Sequence, residues 1–295
     1  MKILLLGSNG MLGKACKNVL DERNEVVAPE KNELDIISWD MVIEGLNTIG
    51  PEIVINCAGF TNVDDCEKEA FLVRKTNVEG PRNLAQGSAR FNCRLIHISS
   101  DYVFNGQKPV PQPYFEDDAT DPLCAYGKSK TESEVAVREN APNYTIIRTG
   151  WLYGLHGRSF IKSLLINVFN KKARELKVVN DQYGSPTWTH RLALKLQELM
   201  HSDAKGTYHV TSEGYCNRFD YARHVLDKLQ IKANLRPCSI KDYPLVAKRP
   251  LNCILENRRG KKQGLCMMDD WQEDVDYFLD TYGDELIKEA KAASA

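Results

Sequence analysis

The apolar run Ile3-Leu-Leu-Leu6 leads directly into Gly7-Ser-Asn-Gly10-Met-Leu-Gly13. A buried strand, a glycine turn and a helix start form the arrangement in which backbone N–H groups and the positive end of a helix dipole face a pyrophosphate. The spacing is G-x-x-G-x-x-G rather than the better-known G-x-G-x-x-G, so on its own it indicates only nucleotide binding. Further apolar runs at 25–28, 52–56 and 94–99 alternate with helix-like segments such as 13–21 and 82–91. This alternation predicts an α/β fold with a doubly wound parallel sheet, helices on both faces and ligands outside the carboxyl ends of the strands.

Segment 108–122 is too rich in proline and acid for the interior of an element and reads as a long loop. Loops of that length in compact domains are commonly functional. Because it joins Ser100 to Tyr126 in the chain, it is expected to close over a substrate. A helix is predicted from Ala125 through 139 and a strand at 144–148. After Trp151 the alternation weakens into short strands and helices near 191–201 and 219–229. The expected division is a discontinuous, Rossmann-type dinucleotide-binding domain (1–150 and 176–201) with a smaller C-terminal substrate-binding lobe (151–175 and 202–295).

Lys plus Arg (39) balances Asp plus Glu (40), so no net field favours nucleic acid or an acidic membrane surface. The nine cysteines are scattered and never form C-x-x-C, which argues against a disulfide framework and a structural zinc site and suits a reducing, cytoplasmic setting. The first apolar run breaks at Gly7, too early for a signal peptide. No later stretch is apolar enough to span a bilayer. The six histidines show no ligand spacing, and no metal site is expected.

Tyr126-Gly-Lys-Ser-Lys130 places a phenol and an ammonium about one helical turn apart on one face. A neighbouring ammonium favours phenolate, and such a tyrosine can exchange a proton near neutral pH. The bland alternative is an exposed helix pair, since about one Tyr-x-x-x-Lys is expected by chance in a chain of this composition. Strand 94–99, however, delivers Ser99-Ser100-Asp101 to the ligand edge of the same sheet. A serine there can hydrogen-bond a carbonyl, or simply satisfy loop backbone. Glycine turn, strand-end serine and Tyr/Lys helix, in this order, are much harder to obtain by accident.

With those motifs the chain resembles the extended short-chain dehydrogenase/reductase superfamily, and within it the dTDP-4-dehydrorhamnose reductase family. The likeness runs through Asn56-Cys-Ala-Gly-Phe-Thr-Asn-Val-Asp64, Ser99-Ser-Asp-Tyr-Val-Phe104, Arg148-Thr-Gly-Trp151, Asp181-Gln-Tyr-Gly-Ser-Pro-Thr187 and Arg249-Pro250. The resemblance implies reduction of the 4-keto group of a dTDP-6-deoxy-L-hexulose by NADP or NAD. It assigns the proton to Tyr126, tuning and ribose binding to Lys130, and polarisation of the keto oxygen to Ser100. It implies cofactor contacts at Gly7, Gly10, Met11, Leu12, Gly13, Asp35, Ile36, Gly59, Phe60, Thr61 and Ile98, the apolar members serving equally well as core. Asp101, Trp151 and Arg249 become substrate candidates, with Trp151 open to a second reading as core.

Glu30 suits a free ribose 2′-hydroxyl, as in NAD, whereas Lys31 suits the 2′-phosphate of NADP; the balance leans to NADP. Ser100 stands where the family commonly has Thr, Gly150 where Ser is usual, and Cys253 where a Ser often follows Arg-Pro. Some relatives bridge subunits with magnesium through a glutamate at the position occupied by Ala15, so magnesium is not expected, and monomer and homodimer stay open. The alternatives are another nucleotide-sugar epimerase or dehydratase, and a noncatalytic NADP-binding subunit like the one that regulates methionine adenosyltransferase. The absence of a Glu beside Asp101 disfavours a dehydratase, and the intact Ser100/Tyr126/Lys130 set disfavours the regulatory subunit.

Overall fold

The computed structural model describes residues 1–170, 175–265 and 267–294. In chain order its main elements are β1 (Lys2–Leu6), α1 (Met11–Leu20), β2 (Glu25–Val27), α2 (Trp39–Ile49), β3 (Ile53–Asn56), α3 (Gly80–Arg90), β4 (Arg94–Ser100), α4 (Ala125–Asn140) and β5 (Tyr144–Thr149). They are followed by α5 (Phe160–Phe169), β6 (Leu176–Val179), α6 (Thr189–Met200), β7 (Gly206–His209), α7 (Arg218–Lys228), β8 (Leu235–Cys238) and α8 (Trp271–Ala293). Six strands form one parallel sheet in the order β7-β5-β4-β3-β1-β2. The order reverses at β1, so a crevice opens at the carboxyl ends of β1 and β3, where such sheets bind ligands.

The side-chain alternation of the strands builds two cores, one on each face of the sheet. Ile3, Leu5, Ile53, Ile55, Ile96 and Ile147 pack under α1 and α6, against Cys16, Leu20, Leu192 and Leu196. Leu4, Leu6, Val54, Leu95 and Ile146 point the other way, against Val42 and Leu46 of α2, Leu84 of α3 and Val137 of α4. Helix boundaries follow local chemistry. The Ser38 hydroxyl accepts from the Met41 amide to cap α2, whose other end turns through Gly50 at φ 59°. Helix α4 ends at Asn140, two residues before Pro142, which disfavours helix at the residue before it.

A third core, rich in aromatic residues, includes Tyr153, Trp188, Tyr221, Trp271 and Phe278 and belongs to the smaller lobe. The expected domain division needs two amendments. Segment 176–179 is not part of the cofactor domain, because β6 pairs with β8 and buries Val178 in the aromatic core. Strand β7, expected in the smaller lobe, is instead the sixth strand of the central sheet, beside β5, with Tyr208 in the first core.

The acidic, proline-rich loop is stitched down. Tyr114 exchanges backbone hydrogen bonds with Ile254 and Glu256, and its ring stacks on Phe104 at 4.3 Å. The Asn252 side-chain amide donates to the carbonyls of Lys108 (3.1 Å) and Gln112 (2.8 Å). No loop residue lines the cavity that contains Tyr126. The expectation of a lid is therefore corrected: the loop is a strap, held because its polar backbone finds partners in segment 252–256.

Candidate active site

The glycine turn is dictated by close backbone approach. Gly7 has φ +75°, and a Cβ there would lie 2.6 Å from the Ala58 amide nitrogen. A Cβ on Gly13 would overlap the Gly7 carbonyl oxygen. Only glycine permits both contacts. Helix α1 begins after Gly10 with no side-chain cap, which leaves its first N–H groups for a ligand.

Two adjoining cavities open at this turn. One, ≈ 360 Å³, is bordered by Gly7, Glu30, Lys31, Asp35, Ile36 and Phe60. The other, ≈ 380 Å³, is bordered by Met11, Leu12, Gly13, Thr61, Ile98, Ser100, Asp101, Tyr126, Lys130 and Trp151. Gly10, Cys57, Ala58 and Gly59 line both. Every cofactor candidate named from the sequence thus borders one of the two cavities. The free N–H groups at the turn and the extended double cavity fit a dinucleotide, its pyrophosphate at the turn.

Residues distant in the chain hold the floor rigid. The Asn77 side chain accepts from the Phe60 amide (2.7 Å) and donates to the Phe60 carbonyl (3.0 Å) and to the Ser129 hydroxyl (2.9 Å). Ser129 in turn donates to the Tyr126 carbonyl at 2.7 Å. This chain ties the cofactor loop to the helix carrying Tyr126. Asn77 was not singled out in the sequence, because no motif there marks a residue that works through its contacts.

At the second cavity, β4 ends in Ser100 and α4 presents Tyr126 and Lys130. The Ser100 hydroxyl donates to Asp101 Oδ1 at 2.8 Å and lies near the Tyr126 phenol. Burial raises the pKa of that phenol, and the nearby Ser100 hydroxyl offsets only part of the rise. The expected lowering by Lys130 is corrected. The Lys130 ammonium donates instead to the Ile98 carbonyl at 2.6 Å, and burial brings its own pKa down to about 8. Below, Ser99 donates to Glu134, which holds Arg148 through bonds of 2.8 and 2.7 Å. That buried pair keeps the Glu134 pKa low against the pull of desolvation.

Asp101 is 3% exposed, and burial raises its pKa to about 6. Among the described residues its Oδ2 has no hydrogen-bond partner, and a Cβ on Gly150 would overlap that oxygen. Gly150, where the family usually has serine, therefore makes room for the carboxylate. Cys253 lies near the same carboxylate, its thiol donating to the Pro250 carbonyl at 3.8 Å.

Trp151 packs in the aromatic core and also lines the cavity. Its backbone sits at φ 50°, a conformation that bulky residues rarely adopt. The ring is held by the Arg218 guanidinium, 3.4 Å from its centroid, and by Gly184, where any Cβ would overlap the indole. The Asp181–Thr187 string thereby gains a structural meaning. Asp181 accepts from Ser239 and Ile240, Tyr183 pairs with Leu251 and Cys253, and Gly184 admits the indole.

Arg249 is corrected as a substrate candidate. It pairs with Asp64 at 2.9 Å and borders a different cavity, beside Asn105 and Tyr183. Its charge already has a partner in the half-buried Asp64 carboxylate. The arginines that do border the Tyr126 cavity are Arg158 and Arg218, neither of which lies in a recognisable motif.

The sequence profile of the RmlD substrate binding domain matches residues 1–283. A dTDP-4-dehydrorhamnose reductase of Aggregatibacter actinomycetemcomitans is 34% identical over 285 residues, covering 92% of this chain and 96% of that protein. The crystal structure of a dTDP-4-dehydrorhamnose reductase from Clostridium acetobutylicum superposes with a TM-score of 0.91 at 37% identity, over 96% of this chain and 100% of that one. The Bacillus anthracis enzyme, solved in complex with NADP, gives 0.90 at 34% identity over 95% and 99%. Two cavities meeting at a glycine turn, one carrying the Ser/Tyr/Lys set, and these likenesses along nearly the whole chain lead to one conclusion: the protein belongs to the RmlD family of dTDP-4-dehydrorhamnose reductases, oxidoreductases of the extended short-chain dehydrogenase/reductase fold.

Proposed function

We propose that this chain reduces the 4-keto group of dTDP-4-dehydro-6-deoxy-L-mannose to give dTDP-L-rhamnose, with NADPH preferred over NADH. The observation that carries this reading is the convergence of Ser100, Tyr126 and Lys130 on one cavity continuous with the glycine turn. Bound nicotinamide supplies the hydride. The chain supplies everything else. Tyr126, kept protonated by its burial, gives its proton to the oxygen that becomes the 4-hydroxyl. Ser100, beside that phenol, turns its proton from Asp101 to the same oxygen and opposes the developing charge. Lys130, anchored on the Ile98 carbonyl, holds the nicotinamide ribose.

The amides after Gly10 hold the pyrophosphate, and Glu30 and Lys31 border the adenosine end. Support for NADPH comes from the charges there. The Glu30 carboxylate already accepts from Asn9 at 2.6 Å, while exposed Lys31 has only a long ion pair to Asp35, at 3.8 Å, to give up for a 2′-phosphate. The Bacillus anthracis relative solved with NADP supports the same choice.

The test is NADPH oxidation by the purified chain given the 4-keto sugar nucleotide, repeated with NADH. Tyr126→Phe is expected to lower kcat by about 10²–10⁴-fold while NADPH affinity is retained. Binding of NADPH by the wild-type chain without ketone reduction would instead support the noncatalytic reading. Turnover surviving in Tyr126→Phe would remove Tyr126 from the mechanism.

A further inference from the structure

Arg218, the first residue of α7, borders two cavities at once. One is the Tyr126 cavity. The other, ≈ 240 Å³, is an open cleft of the smaller lobe walled by Phe160, Leu164, Val178, Tyr243 and Leu245. The guanidinium carbon lies 3.4 Å from the centroid of the Trp151 ring and 5.2 Å from that of Phe160, so aromatic side chains fix its plane. Its Nε donates to Gln182 Oε1 in a long bond of 3.5 Å.

Among the described residues Arg218 forms no ion pair, whereas Arg148, Arg191 and Arg249 each hold a carboxylate. It feels Asp101 at a distance and helps keep it ionised, but does not bond to it. Burial acts against its charged form. Arg218 is half-buried; partial withdrawal of a guanidinium from water without an ion pair carries a cost, and one whose fork is still free is suited to two oxygens of a phosphate. Arg158, at the rim of the Tyr126 cavity, is exposed and bears no such cost. The turn at Gly10 and its helix amides serve the cofactor pyrophosphate, which leaves Arg218 for a second phosphate group.

Resting on the nucleotide-sugar reading above, we propose that Arg218 holds the diphosphate of the sugar nucleotide at the junction of the two cavities, with the sugar towards Tyr126 and the nucleoside in the apolar cleft on its other side. The stacked guanidinium then has two tasks. It neutralises the diphosphate, and it keeps Trp151 in its left-handed conformation beside the sugar.

The test is calorimetric titration of the full chain, saturated with NADP⁺, with dTDP and separately with thymidine. Arg218→Met is expected to weaken dTDP by about tenfold or more and to leave thymidine within about twofold. Arg218→Lys should recover only part of the loss, because an ammonium cannot engage two oxygens from a stacked plane. Unchanged dTDP affinity in Arg218→Met, or an equal loss for both ligands, would overturn the proposal. So would wild-type protein that binds thymidine as tightly as dTDP, or that binds NADP⁺ but not dTDP. A variant that loses NADP⁺ affinity as well would assign the anion to the cofactor and also overturn it. The ketone-reduction assay reads the proposed function separately: dTDP anchored by Arg218 in a chain that reduces no 4-keto sugar would refute that function and leave the anchor standing.

Discussion

The two cavities that meet at Gly10 are built by opposite means. The cofactor side is made of backbone: a strand end, a glycine turn and a helix start, whose shape is set by places where no Cβ fits. The substrate side is made of the side chains of Asp101, Trp151, Arg218 and Cys253, brought together from separated segments, with Gly150 and Gly184 leaving room for them. A backbone site can be recognised locally, because glycine spacing reports the turn. A side-chain site of this kind has no local spacing to report. It also tolerates exchange differently, since each residue is answerable to a neighbour far away in the chain.

That contrast is sharpest at Gly13. Gly13→Ala forces a Cβ onto the Gly7 carbonyl oxygen, which only a shift of the turn can relieve. The expected result is a stability loss of about 3 kcal/mol, by urea unfolding, together with loss of NADPH binding by fluorescence titration. Normal NADPH affinity in this variant would show that the turn does not set the cofactor site.

Gly150→Ser, which restores the residue usual in the family, probes the substrate side. Its Cβ would overlap the Asp101 carboxylate, so a stability loss of about 1–3 kcal/mol and a raised KM for the sugar nucleotide are expected, with NADPH affinity unchanged. Equal damage to cofactor and substrate binding would erase the distinction between the two sides.

The last effect is in pH dependence and is spread over the acid range. The Asp101 pKa of about 6 lies above the ordinary value of 3.8, so the folded chain retains a proton that the unfolded chain has released. Stability from this group is therefore greatest below about pH 4, falls as the pH rises towards 6, and is constant above, a change of about 3 kcal/mol at most. Asp101→Asn should remove that slope from unfolding curves measured across the range. Glu134, whose pKa is lowered, contributes the opposite slope at lower pH and is present in both proteins, so the difference between them isolates Asp101. An identical pH dependence would mean that the carboxylate is better solvated than its surroundings indicate.

Much of the cofactor half was legible because its strands are buried on both faces, which makes them continuous apolar runs. The predicted strands at 94–99 and 144–148 lie within β4 and β5. The strands of the smaller lobe gave no such signal. Two of them, at Tyr183–Gly184 and Cys216–Asn217, are two residues long and pair with each other across the lobe. Strand β7 was misassigned because four residues after a weakened pattern carry no mark of which sheet they join. Loop 108–122 was read correctly as irregular, but its partners lie in segment 252–259, out of reach of any local reading.

By itself the sequence determined the parallel sheet, the glycine turn and the order in which Ser100, Tyr126 and Lys130 reach its ligand edge, because each depends on periodicity or on spacings of a few residues. Tertiary structure alone decided that Arg249 is spent on Asp64, that Arg218 stands without a carboxylate on the face of Trp151, and that Asp101 needs the space left by Gly150. The physical reason is that the availability of a charge is set by what is packed beside it. Only the folded chain brings those neighbours together.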